Sequence, residues 1–121
     1  MADNFGGGVF AGSAGVSIPF ILLSTTDGTE VTGKVAADMT AYYWRQGGTP
    51  TAISLSNLAA ITTAWAAGGV KPADATNQPG LYRLDVPDAA LAAGADWVVF
   101  TVKVTGCYLA RERYSLGVRE M

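Results

Sequence analysis

The chain has 121 residues, half of them hydrophobic and 15% charged, with 8 basic against 10 acidic side chains and a formal net charge of −2. That length predicts a single domain, and that balance predicts a folded core rather than a disordered chain. No run of lysine or arginine provides the footprint of nucleic-acid binding or of adhesion to anionic membranes, and the lack of histidine removes the commonest general base and metal ligand.

Residues 1–15 are glycine-rich and read as an N-terminal arm ahead of a domain spanning 16–121. Phe5, Val9 and Phe10 are the arm's large apolar groups and are expected to anchor on another surface; a disordered tail is the alternative. Residues 16–23 alternate as a first strand, with Val16, Ile18, Phe20 and Leu22 on one face. Pro19 lacks a donor and so places this strand at a sheet edge or a bulge. Asp27-Gly28 marks a turn, and 30–35 form a short second strand. Residues 39–45 are a stronger strand, with Met39, Ala41 and Tyr43 on one face and Tyr42 and Trp44 on the other. After a turn at 46–50, residues 51–55 return, burying Ile53 and Leu55.

The spacing of Leu58, Ile61 and Trp65 predicts a helix over 57–67, capped by Ser54 or Ser56 and ended by Gly68-Gly69. Residues 71–79 read as a loop. Residues 81–86 alternate again, with Tyr82, Leu84 and Val86 opposite Leu81, Arg83 and Asp85. Pro87 stops this strand, and Asp88 is expected to cap a short helix over 89–93. Residues 96–105 are the clearest strand: Val98, Phe100, Val102 and Val104 face inward, and Trp97, Val99, Thr101 and Lys103 face the other way. Gly106 turns the chain into a last strand over 108–118, with Arg111, Glu112 and Arg113 more exposed. The sum is a mainly β fold, an Ig-like or jelly-roll β-sandwich with one short inserted helix.

Four stretches carry a resemblance: Ile18-Pro19-Phe20, Asp27-Gly28-Thr29-Glu30-Val31-Thr32-Gly33, Tyr42-Tyr43-Trp44-Arg45-Gln46-Gly47-Gly48, and Gly80-Leu81-Tyr82-Arg83-Leu84-Asp85-Val86-Pro87-Asp88. In this order and spacing, over roughly residues 16–116, the chain resembles a group of small structural proteins of tailed bacteriophages and prophages. The resemblance implies a non-enzymatic virion component, assembled in the host cytoplasm. Its first implied role is capsid decoration or cementing, with the major capsid protein as partner and a homo-oligomer in the assembled particle. The alternatives are a tail, neck or fibre-attachment component contacting tail proteins, and a carbohydrate-binding module contacting the host surface. The motif positions Tyr82, Arg83, Asp85 and Pro87 are expected to be structural.

Catalytic chemistry has few candidates. Asp85 and Asp88 could form an acid–base pair, with Asp74 or Asp96 nearby, but pairing of Asp85 with Arg83 is the simpler expectation. No compact acidic loop of EF-hand type occurs, and Asp27 with Glu30 is a turn signature before it is a metal site. The glycine clusters lack the Gly-Lys-Ser/Thr of a phosphate loop. Cys107 is the sole cysteine, which excludes an intrachain disulfide and a Cys-rich zinc site and is expected to be a half-buried structural thiol. The N-terminus lacks a signal-peptide pattern, and no apolar run reaches the ~18 residues of a membrane span. No catalytic residue, metal or cofactor is therefore expected, and function is expected in interface residues: Phe5, Val9 and Phe10 in the arm, with Trp44 and Trp97 as exposed aromatic anchors. The same aromatics, with Tyr42, Trp65 and Tyr108, could instead stack on sugar rings.

Overall fold

The computed structural model describes residues 8–117. In chain order the strands are β1 (Gly8–Phe10), β2 (Ser17–Ile21), β3 (Met39–Arg45), β4 (Thr51–Ile53), β5 (Ser56–Asn57), β6 (Gly69–Asp74), β7 (Gln78–Asp85), β8 (Trp97–Val104) and β9 (Ala110–Gly117). They form a five-stranded sheet, β1-β9-β8-β3-β4, and a four-stranded sheet, β2-β7-β6-β5. The orders β9-β8-β3 and β2-β7-β6 match the G-F-C and B-E-D strands of an immunoglobulin-like sandwich. Neighbours pair antiparallel except β1 on β9 and β5 on β6, which are parallel.

Two-residue alternation explains the core. Val98, Phe100, Val102 and Val104 of β8 all point inward, opposite Ile18 and Phe20 of β2 and Tyr82 and Leu84 of β7. Each fully buried large side chain contributes about 1.5–3 kcal/mol. Phe20 stacks on Tyr82 at 5.3 Å between centroids. The Tyr82 hydroxyl donates to the Val31 carbonyl at 2.8 Å and accepts from the Lys34 amide at 3.2 Å. That grip explains the first departure from expectation: 30–35 is not a strand. Only a single bridge, Leu23 to Glu30, forms there, because the Tyr82 hydroxyl takes backbone groups that a ladder would use.

The second departure is larger. The helix expected over 57–67 is absent; after β5 the segment turns irregularly to Gly68. Its backbone groups are claimed by side chains from β7. The Ala66 amide donates to Asp85 Oδ2 at 3.0 Å, and Arg83 Nη1 donates to the Ile61 carbonyl at 2.7 Å. Leu58 is buried, while Ile61 is 38% exposed, so the three apolar residues do not share one face. Trp65 is tied down by its ring instead, donating to the Val16 carbonyl at 3.1 Å. Ser54 and Ser56 cap nothing here.

Residues 71–79, expected to be a loop, supply most of β6 and the start of β7. Pro72 is tolerated because β5 pairs only with Gly69 and Val70, leaving Pro72 on an open flank beside a register shift. Pro19 likewise sits on the edge strand β2. Asp88 begins a 3-10 turn, Asp88–Leu91, without capping it; its carboxylate accepts the Gly15 amide at 2.9 Å. That turn is held to β3 by Arg45, which donates to the carbonyls of Ala89 and Ala92 at 2.7 Å each.

Gly68 closes the covering segment with φ +81°, and a β-carbon there would lie 1.9 Å from the Ser54 carbonyl oxygen. Both conformation and space demand glycine. Gly68→Ala is expected to lower the unfolding free energy by more than about 2 kcal/mol in urea titration, whereas Gly47→Ala, which meets no neighbour, costs about 1 kcal/mol.

Candidate functional site

The outer surfaces of the two sheets differ. On the four-stranded sheet, Arg83 and Asp85 lie on the side away from the core, where residues 58–68 fold over them. Asp85 is 0% exposed. Its Oδ1 accepts from Arg83 Nε at 2.7 Å and Ser17 Oγ at 2.6 Å, and its Oδ2 accepts from Arg83 Nη2 at 2.9 Å and the Ala66 amide. Burial alone would raise this carboxyl's pKa, but the donors of Arg83, Ser17 and Ala66 outweigh it and hold the carboxyl below its ordinary range. A carboxylate so saturated is a poor general base, and Asp88 is occupied by Gly15. Asp74 closes the β6–β7 turn by accepting the amides of Thr76 and Asn77. Among the described residues no three acidic, cysteine or histidine side chains cluster as a metal site would require.

The five-stranded sheet presents an open face. The register sets Trp44 opposite Val99 and Val99 opposite Arg113; one step along, Tyr42 faces Thr101 and Thr101 faces Arg111. Thr40 and Lys103 form the next row. Trp97 joins Trp44 from an adjacent row, ring edge to face, with centroids 4.9 Å apart and planes at 77°. Trp44 Nε1 donates to the Gly48 carbonyl at 2.9 Å, which fixes the indole while leaving it 45% exposed. Tyr42 is 41% exposed. Arg111, Arg113 and Lys103 are exposed, and the ion pair among the described residues is Arg83 with Asp85, elsewhere. Neighbouring Glu112 alternates to the inner side of β9. The face is thus aromatic along β3 and β8 and cationic along β9 and the end of β8.

Of the residues expected to form interfaces, Trp44 and Trp97 are brought into contact on this face. Val9 and Phe10 lie in β1, paired with Leu116 and Gly117 of β9, and Val9 packs against the core. Phe5 lies outside the described residues. The cations of the face were visible as alternate residues of a strand; what the sequence lacked was the pairing that ranks them beside the tryptophans. Among the described residues no helix is long and apolar enough to cross a membrane.

The Asp85 cluster makes a measurable claim. The ordinary carboxyl value is 3.8 and the folded value is lower, so the stability it contributes is complete above 3.8 and is lost as pH falls through the folded value. Asp85→Ala is expected to cost about 3–5 kcal/mol at neutral pH, because it leaves Arg83 without its charge partner. The variant is also expected to flatten the acid limb of the stability curve measured by urea unfolding below about pH 4.

No family model, curated protein or solved structure matches the chain.

Proposed function

We propose that the chain is a non-catalytic structural protein of a tailed-phage virion, a capsid decoration or cementing protein that attaches through the open face of its five-stranded sheet. The observation that carries this reading is the juxtaposition, on one sheet face, of the exposed Trp44 and the half-buried Trp97 with the exposed Arg113 and Arg111, which have no ion-pair partners among the described residues. Tryptophan and arginine are the residue types that most often anchor protein interfaces. The resemblance of the four sequence stretches to tailed-phage structural proteins supplies the kind of particle. Its motif residues have structural duties: Tyr82 grips 31–34, and Arg83 with Asp85 clamps the covering segment.

A rigid aromatic pair beside unpaired cations suits a flat, acidic protein surface. Contacts of modest strength, repeated over a shell, become hard to lose together. Tail, neck or fibre attachment would use the same face on fewer copies. A sugar ligand would need a flat aromatic platform, and the near-perpendicular planes of Trp44 and Trp97 do not offer one across both rings.

The test combines location with mutation. Quantitative mass spectrometry of particles is expected to find the protein in many copies, in proportion to the shell; a few copies per particle would move it to the tail or neck. Trp44→Ala with Arg113→Ala is expected to weaken binding to particles lacking the protein by about tenfold or more. The variant should stay folded, with its melting temperature lowered by several degrees, since an edge-to-face pair contributes about 0.5–1.5 kcal/mol. Full binding by the double variant would rule out this face, and specific binders on a glycan array would favour the sugar reading.

A further inference from the structure

The open face of the five-stranded sheet carries a charge pattern that its aromatic pair does not explain. The outward positions of β3, β4, β8 and β9 include three cations, Lys103, Arg111 and Arg113, and no acidic side chain. Glu112, the acidic residue within these strands, alternates to the inner side. Arg111 and Arg113 stand two residues apart on β9, so they leave the sheet in one direction about 7 Å apart. Lys103 sits diagonally across from Arg111, about 7–8 Å away. Like charges this close repel, and among the described residues none of them has an ion-pair partner. A partner that brings carboxylates removes that repulsion.

The occupant can be narrowed from the same geometry. A second copy of the chain is a poor source of carboxylates: Asp27, Asp38, Asp74 and Asp88 already accept from backbone amides, and Asp85 is buried. A nucleic acid fits poorly for another reason. Base stacking needs an open ring face, but Trp44 meets Trp97 at 77° and is tied to the Gly48 carbonyl. A flat, acidic surface of another protein satisfies both halves of the face, because indoles supply apolar anchors and guanidiniums take carboxylates through two parallel bonds.

We propose that the partner is a protein surface with two carboxylates about 7 Å apart, one for each guanidinium of Arg111 and Arg113. Acidic residues at alternate positions of a strand supply that spacing. Arginine matters at both positions because its planar fork fixes the angle of approach, which the point charge of lysine does not. Lys103 adds charge at the margin. The cations then orient the encounter, and the tryptophans hold the complex once formed. This inference rests on the attachment face proposed above and specifies what lies opposite it.

Binding to particles lacking the protein, measured as ionic strength rises from about 50 to about 300 mM, tests it; the native affinity is expected to fall at least about tenfold. Arg111→Gln with Arg113→Gln is expected to weaken low-salt binding at least about tenfold and to flatten the salt dependence. Arg111→Lys with Arg113→Lys keeps the charge and loses the fork, and is expected to weaken binding about three- to tenfold with the salt dependence retained. Amidating the particles' carboxylates with a carbodiimide and glycinamide is expected to abolish binding of the native chain. Melting curves check that both variants are folded, and the lysine pair serves if the glutamine pair is not. Salt-independent binding, full binding by the glutamine pair or full binding to amidated particles would overturn an acidic partner. If Trp44→Ala still weakens binding in that case, attachment through this face stands without it. Native affinity in the lysine pair would overturn the two-carboxylate match. Tighter binding to a short single-stranded oligothymidylate than to particles would assign the face to nucleic acid and overturn the proposal. A native chain that binds no particle would overturn both readings.

Discussion

Asp85 carries a charge in a place that water does not reach, and a buried charge is tolerated only where protein donors surround it. Those donors come from three parts of the chain that are far apart in sequence: Ser17 on β2, Arg83 on β7 and the Ala66 amide in the covering segment. Meeting the demand of one carboxylate therefore fixes how β2 sits on β7 and draws residues 58–68 over the sheet. Arg83 extends the clamp to Ile61, and the Gly68 amide donates to the Asp85 carbonyl. Removing the charge alone would leave the guanidinium facing an apolar cover, so the cluster acts as a unit.

This clamp also explains which parts of the fold were legible in the sequence. Where a strand's neighbours are apolar and regular, alternation sufficed: residues 39–45 are β3 with the expected faces, and β8 buries its four expected residues. The segment 57–67 has helical spacing, but spacing reports only which side chains prefer burial, not what the backbone will bond to. Here Asp85 and Arg83 take its amide and carbonyl groups, and a tertiary contact overrides a local preference. β6 lacks a clear alternating pattern, and it accommodates Pro72 beside a register shift on a flank that β5 is too short to cover. The candidate site was half legible in the same sense. Trp44 and Trp97 stood out as aromatics on outward positions, yet their contact and their alignment with Arg113 depend on the β3–β8–β9 register, which no local pattern encodes.

Sealing one sheet has a consequence for the other. The covering segment spends the outer surface of β7 on an internal ion pair, so the sandwich keeps one broad open face, on β3, β8 and β9. The charges follow the same division. Several acidic side chains are committed to local backbone geometry: Asp27 accepts from Thr29, Asp38 from the Val35 amide, and Asp74 from Thr76 and Asn77. Among the described residues, the cations of β8 and β9 make no such bonds. A chain with a net charge of −2 thereby presents a cationic, aromatic surface in one direction, and an acidic partner would be oriented by it before contact.

The edges of the sandwich argue that this face, rather than strand addition, is what the fold offers to partners. β1 and β4 are three residues long, β5 is two, and β2 carries Pro19 in its middle. Short or proline-bearing edges are poor templates for another chain's backbone. Among the described residues, edges of this kind disfavour edge-to-edge pairing. On the proposed reading, contacts with other molecules are made by side chains, and those on the outer face of the five-stranded sheet are Trp44, Trp97, Arg111 and Arg113.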